Sequence, residues 1–201
     1  MLLLTASIQK IWEWLNACDT ALFLQINTKF TNPVFDQVLP LMRNANTWVP
    51  LYLFLIVLSV VNFKSKSFFW IMGAVLTVVL TDQISSSFFK PFFERPRPCN
   101  DPILMSQVRL LLDHCSGGYS FTSSHAANHF GFAVYVFITL RSVFKNWSFL
   151  FLGWAAIVSY SQVYVGVHYP LDVLCGGLMG AILGFATSQI FIRRAGQIVL
   201  E

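Results

Sequence analysis

The sequence predicts an all-α fold, a polytopic transmembrane helical bundle, and three observations carry that expectation. Of 201 residues, 56% are hydrophobic and only 11% are charged, whereas soluble domains carry about 25% charged residues. The mean hydropathy is +0.63. Apolar residues also gather in runs near the roughly 17–25 residues that a helix needs to cross a bilayer. The formal net charge of +4 forms no basic block, so no nucleic-acid partner is expected. In a polytopic chain such a surplus reflects cytoplasmic Lys and Arg. The opening MLLLTASIQK lacks a basic leading stretch and a cleavage site, and is not read as a signal peptide.

Residues 1–30 mix apolar and polar positions. Ile8, Trp12, Leu15 and Leu22 recur at helical spacing, with Lys10, Glu13, Asn16 and Asp19 elsewhere. This predicts an amphipathic helix lying in the interface, with Trp12 and Trp14 at headgroup level; a sixth span over 10–27 is the alternative. Asn32-Pro33 breaks the chain, and 34–43 reads as a second short helix. The first span is 47–63, followed by the basic turn Lys64-Ser65-Lys66, and the second is 67–89. A polar connection rich in Pro, Gly and charge runs from Pro91 to Phe121. The third span is 124–140, the fourth 147–165 and the fifth 170–192, which closes with Arg193-Arg194. Gly176, Gly180 and Gly184 in the fifth recur at the spacing that lets membrane helices approach closely. Residues 1–201 read as a single domain.

Alternating directions put the end of span two, the start of three, the end of four and the start of five on one side. The other side holds Lys64, Lys66, Arg141, Lys145, Arg193 and Arg194, which the positive-inside rule assigns to the cytoplasm. Residues 161–172 then face outward. Lys90, Arg95, Arg97 and Arg109 run against the rule and are read as held there by chemistry. Cys18, Cys99, Cys115 and Cys175 form no C-x-x-C pair. Cys99 and Cys115 share the long connection, where a disulfide fits an oxidising compartment; two free thiols are the alternative.

Three clusters meet on the outer side: KPFFERPRP at 90–98, TSSH at 122–125 and SQVYVGVHYPLD at 161–172. Pro170 suits a first helical position, which leaves His168 just before a helix and Asp172 in its first turn. Lys90 and Arg97 supply charge and donors for a phosphate. Ser123 caps the third span, whose free N–H groups point at the anion. His168, held in one tautomer by Asp172, is placed to attack phosphorus, and His125 to protonate the leaving oxygen. This two-step route calls for no metal and no cofactor, and the nine Asp and Glu form no obvious cluster. His129 is read as a satisfied interior histidine, His114 as a loop residue and Arg95 as a rim charge. Asp82, inside span two, is read as a structural partner satisfied by Gln83, Ser85 and Ser86.

The clusters resemble the signature of the type 2 phosphatidic acid phosphatase (PAP2) superfamily: K-x6-RP, then PSGH, then SR-x5-H-x3-D. Lys90 and Arg97-Pro98 match the first part; Ser123 and His125 match the second, with Thr122 for Pro and Ser124 for Gly; Ser161, His168 and Asp172 match the third. The resemblance implies a helical bundle that hydrolyses lipid phosphates without a metal. It casts His168 as nucleophile, His125 as acid/base and Asp172 as orienter, with Lys90, Arg97, Ser123 and the backbone at Ser124 holding the phosphoryl group. The compact chain is similar to small bacterial undecaprenyl-diphosphate phosphatases. This implies a lipid substrate in the bacterial cytoplasmic membrane and a site facing the periplasm or exterior. Phosphatidic acid, phosphatidylglycerophosphate and lipid A phosphates stay open as substrates.

One position departs from the pattern. Gln162 stands where the family has Arg, keeping a donor but losing a charge. Losing a charge-assisted contact in a dry site costs on the order of 2–4 kcal/mol of transition-state stabilisation. Arg95 or Arg109 is the expected compensation. The alternatives are a weakly active or inactive lipid-phosphate binder, or a phosphotransferase that hands the group to a second lipid.

Overall fold

Nine α-helices follow one another through residues 2–198, the part that the computed structural model describes. They are α1 (Leu2–Leu24), α2 (Pro33–Arg43), α3 (Val49–Phe63), α4 (Lys66–Gln83), the single turn α5 (Lys90–Phe93), α6 (Ser124–Thr139), the single turn α7 (Arg141–Phe144), α8 (Phe149–Tyr164) and α9 (Pro170–Ala195). The chain is all-α, as the composition implies. Three stretches of the described residues, Ala45–Phe63, Lys66–Asn100 and Pro170–Ala195, are long and apolar enough to cross a membrane. The other two expected spans, α6 and α8, are 16 residues each, about 24 Å at 1.5 Å per residue, and 3-10 or α turns lengthen both at their inner ends.

Local chemistry sets the ends. The Asn32 side chain accepts from Val34 N at 2.8 Å and Pro33 takes the first turn of α2, the pairing expected of an N-cap followed by proline. At the other end of the outer half, α4 passes into a π turn at Ile84–Phe89 before α5. Such turns widen a helix by one residue and recur near functional sites. Here the wide turn carries Ser85, which is buried, and delivers Lys90 at its exit.

The bundle is built around α6, which packs against α4, α8 and α9. Its contact with α9 is backbone on backbone. A Cβ placed on Gly176, Gly180 or Gly184 would collide with the carbonyl oxygens of Ser123, Ala127 and Gly131, so the glycine stripe is a packing seam. The opposite face of α9 presents Leu174, Leu178, Ile182 and Phe185 outward, as a lipid-facing surface does. Three polar pairs lie inside the bundle: Trp70 Nε1 donates to Thr139 Oγ1 at 2.8 Å, Tyr135 Oη to Trp70 O at 2.9 Å, and the Thr77 and Thr187 hydroxyls meet at 2.6 Å. At the end of the bundle where α9 finishes, Lys66 and Ser142 hydrogen-bond the backbone of Gln197 and Ile198, which draws the basic turns together.

The seam generates a contrast. Gly180→Ala forces a methyl into a backbone contact and is expected to destabilise the protein by about 1–3 kcal/mol. Gly153 on α8 has no neighbouring atom within 4 Å of such a methyl, so Gly153→Ala should leave stability unchanged or raised. Thermal unfolding in detergent, compared between the two variants, checks this.

Candidate active site

The site grows from the start of α9. Asp172 is fully buried, and a buried carboxylate needs partners. Its Oδ2 accepts from Tyr169 N at 2.9 Å and from the Ser120 hydroxyl, and its Oδ1 accepts from Arg95 Nη1 at 2.6 Å. His168, 2% exposed, sets its Nδ1 3.4 Å from Asp172 Oδ2 and 3.3 Å from Ser120 Oγ. The other ring nitrogen, Nε2, lies 3.0 Å from Arg97 Nη1. A guanidinium has only donors, so Nε2 accepts and the ring proton belongs on Nδ1, facing the carboxylate. Burial pushes the His168 pKa down to about 4, over the opposing pull of Asp172. At neutral pH the imidazole is therefore uncharged, with its Nε2 lone pair facing the cation.

The second half of the site is the start of α6. Ser123 N donates to Asp172 O at 3.0 Å, and its Oγ caps the helix through Ala126 N at 3.4 Å. The N–H groups of Ser124 and His125 come next, and the first N–H groups of a helix have no partner within it. Ser85 Oγ fixes this turn, lying 3.0 Å from Ser124 Oγ and 3.1 Å from Thr122 Oγ1. The His125 ring stacks parallel on His129 at 6.2 Å. Lys90 sits within electrostatic reach of Arg97, His125, His168 and Asp172. Lys90, Arg97, Ser123, Ser124, His125, His168 and Asp172, which are far apart in sequence, thus share one locus. Beside it a cavity of about 520 Å³ runs between α3, α4 and α6, lined by Tyr52, Leu55, Trp70, Val78, Phe132 and His125.

Several expectations need correction. Arg95 is no rim charge: it also binds Asp19 Oδ2 at 2.7 Å and Asn16 Oδ1 at 2.8 Å, and lies 3.9 Å over the Tyr169 ring. Arg109 is held by Asp36 Oδ1 at 2.8 Å and Asn27 O at 3.0 Å. Neither of these arginines stands in for the charge missing at position 162. The Asp82 carboxylate is met by Asn128 Nδ2 at 3.2 Å and not by Ser85, Ser86 or Gln83: the π turn swings Ser85 toward α6, and Ser86 Oγ donates to the Asp82 backbone carbonyl. His129 is satisfied on one side alone: Nδ1 meets His125 O at 2.8 Å, while Nε2 is buried without a partner among the described residues. Gln162 is fully buried, and His114 lies in an exposed loop. Cys99 and Cys115 are joined in a disulfide with Cα atoms 5.9 Å apart, which ties the Arg97 end of the long loop to its Ser120 end.

The sequence reading missed Ser120, Asp19 and Asn16. Ser120 sits in an aperiodic loop two residues before TSSH, where proximity to that cluster was the available signal. Asp19 and Asn16 were visible as polar interruptions of α1, but their partner was 76 or more residues away.

The chain is similar to known proteins in both sequence and fold. The PAP2 superfamily model matches residues 68–195. The chain is 32% identical to the lipid A 4'-phosphatase of Porphyromonas gingivalis over 183 residues, covering 90% of this chain and 75% of that one. It is 43% identical to an undecaprenyl-diphosphatase of Sulfolobus acidocaldarius over 82 residues, 40% of this chain and 37% of the other. Among solved structures, the crystal structure of LpxE from Aquifex aeolicus superposes with a TM-score of 0.61 at 27% identity, covering 85% of this chain and 94% of that one.

The His168 environment predicts its titration. In NMR spectra of ¹³C-histidine-labelled protein, the His168 ring should titrate near 4 instead of the about 6.5 of a free histidine. The unfolded chain takes up this proton near pH 6.5 while the folded protein does not. This contribution to stability is therefore fully present above about pH 6.5 and declines as pH falls toward 4. Replacing His168 with Gln should flatten that part of the stability profile.

Proposed function

The chain belongs to the PAP2 superfamily, and from that premise we propose that it hydrolyses the phosphate of a membrane lipid through a phosphohistidine on His168. The supporting observation is the neutral, fully enclosed His168, whose protonated Nδ1 faces Asp172 and whose Nε2 lone pair faces Arg97. In the first step Nε2 bonds to phosphorus, the bond from phosphorus to the lipid oxygen breaks, and His125 gives a proton to that oxygen. In the second step His125 takes a proton from water, the water oxygen bonds to phosphorus and the N–P bond breaks, releasing phosphate. Lys90, Arg97 and the Ser124 and His125 N–H groups offset charge on the phosphoryl oxygens as it builds. Asp172 stabilises the positive charge that the His168 ring carries during transfer, and Arg95 and Ser120 keep that carboxylate oriented.

For the substrate we favour a phosphorylated glycolipid of the lipid A kind. Likeness to a lipid A 4'-phosphatase extends over nine-tenths of the chain, whereas likeness to an undecaprenyl-diphosphatase covers two-fifths. Undecaprenyl diphosphate is therefore the second reading. In either case the apolar cavity beside His125 suits hydrocarbon, so that the tail stays in the bilayer while the phosphate enters the site. The Cys99–Cys115 bond fits a site on the oxidising, outer side of the membrane.

Phosphate release in EDTA from lipid A and from undecaprenyl diphosphate tests the proposal. The wild type should release phosphate from lipid A with the higher kcat/KM, and EDTA should leave the rate unchanged. His168→Ala should lower kcat by about 10³-fold or more. Full activity in that variant would remove His168 as nucleophile, and a preference for undecaprenyl diphosphate would reverse the substrate order.

A further inference from the structure

Position 162 lacks a cation, and the structure brings one to it from elsewhere. Arg43, in the last turn of α2, donates from Nε to Gln162 Oε1 at 3.3 Å. No partner is found for its two terminal amino groups among the described residues. The backbone carbonyl of Gln162 accepts from Val167 N and His168 N, both at 3.2 Å, so the residue that anchors Arg43 also carries the His168 loop. Gln162 is completely enclosed, and its Nε2 is buried without a partner among the described residues. A buried amide donor without a protein acceptor carries a desolvation cost, which an acceptor on a bound phosphate would offset.

We propose that Arg43 is the phosphoryl-binding cation of this protein, delivered from α2 and anchored by the Gln162 amide oxygen. This rests on the phosphatase reading above. Arginine at 162 would set two guanidiniums against each other, whereas glutamine offers an oxygen to one and keeps a donor for the phosphate. The glutamine is therefore one half of a relocated charge.

The delivery is built into the outer end of α8. Asp36 and Arg43 are seven residues apart and share a face of α2. Asp36 Oδ1 accepts from Tyr164 Oη at 2.6 Å and from Arg109 Nη1 at 2.8 Å, and Asn32 N donates to the same Tyr164 oxygen at 3.0 Å. Tyr164 stands two residues after Gln162. The clamp that seats α2 on Tyr164 thus seats Arg43 on Gln162. Arg109 contributes to the site through position alone, by gripping Asp36.

Two variants and two readouts decide the matter. Arg43→Gln should lower kcat/KM for the lipid phosphate by about 100-fold and weaken orthovanadate binding by at least about tenfold, with a thermal midpoint close to the wild type. The swap Arg43→Gln/Gln162→Arg returns the charge to position 162 and should recover most of both losses. A purely structural role for Arg43 would instead lower the thermal midpoint of Arg43→Gln together with its activity. Arg43→Gln within about threefold of wild type in both readouts overturns the proposal, as does a swap no better than the single variant. If Arg43→Gln does not fold, the swap alone decides. A wild type that binds orthovanadate through Arg43 but releases phosphate from no lipid sinks the proposed function and leaves the Arg43 assignment standing. A wild type that binds no orthovanadate sinks both.

Discussion

The Asp172 carboxylate is the interaction on which the rest of the outer half depends. A charge enclosed by protein is tolerated only where donors converge on it, and here they come from three places in the chain. Arg95 follows the second span, Ser120 precedes the third, and Tyr169 and His168 lead into α9 itself. The backbone carbonyl of Asp172 then holds Ser123, so the start of α6 is tied to the start of α9. Satisfying one buried anion therefore assembles both halves of the candidate site. It also recruits the N-terminal helix, because Arg95 is held from its other side by Asp19, whose second oxygen accepts from Leu171 N.

The same logic explains the exceptions to the charge rule. Arg95 and Arg109 are held at the site end of the bundle by carboxylates, and Arg97 by donating to Val167 O, Gly118 O and the His168 ring. A topological count of lysines and arginines treats all of them as free charges in loops. None of these three is free, and none carries information about which side is cytoplasmic.

Much of the fold was legible because hydrophobic run length and helix-end chemistry are local signals. Pro170 with Asp172, Ser123 before α6 and the glycine period of α9 could each be read within a few residues. The three motif clusters were legible for the same reason, being short strings at helix ends. What stayed hidden was the pairing between segments far apart. Arg43 read as the end of a short helix, and its relation to Gln162 spans 119 residues. Ser120 had no periodicity to mark it. The partner of Asp82 was missed because a π turn, which the sequence does not announce, redirects Ser85.

The glycine seam has a mechanical consequence. Gly176 abuts the backbone of Ser123 at the mouth of the site, and Gly180 and Gly184 repeat the contact one and two turns deeper. With no side chain between them to change rotamer, α6 and α9 have no soft degree of freedom along this line. They act as a riveted strut rather than a pair of hinged beams. The spacing between the start of α6, which carries His125, and the start of α9, into which His168 leads, is therefore set by backbone against backbone.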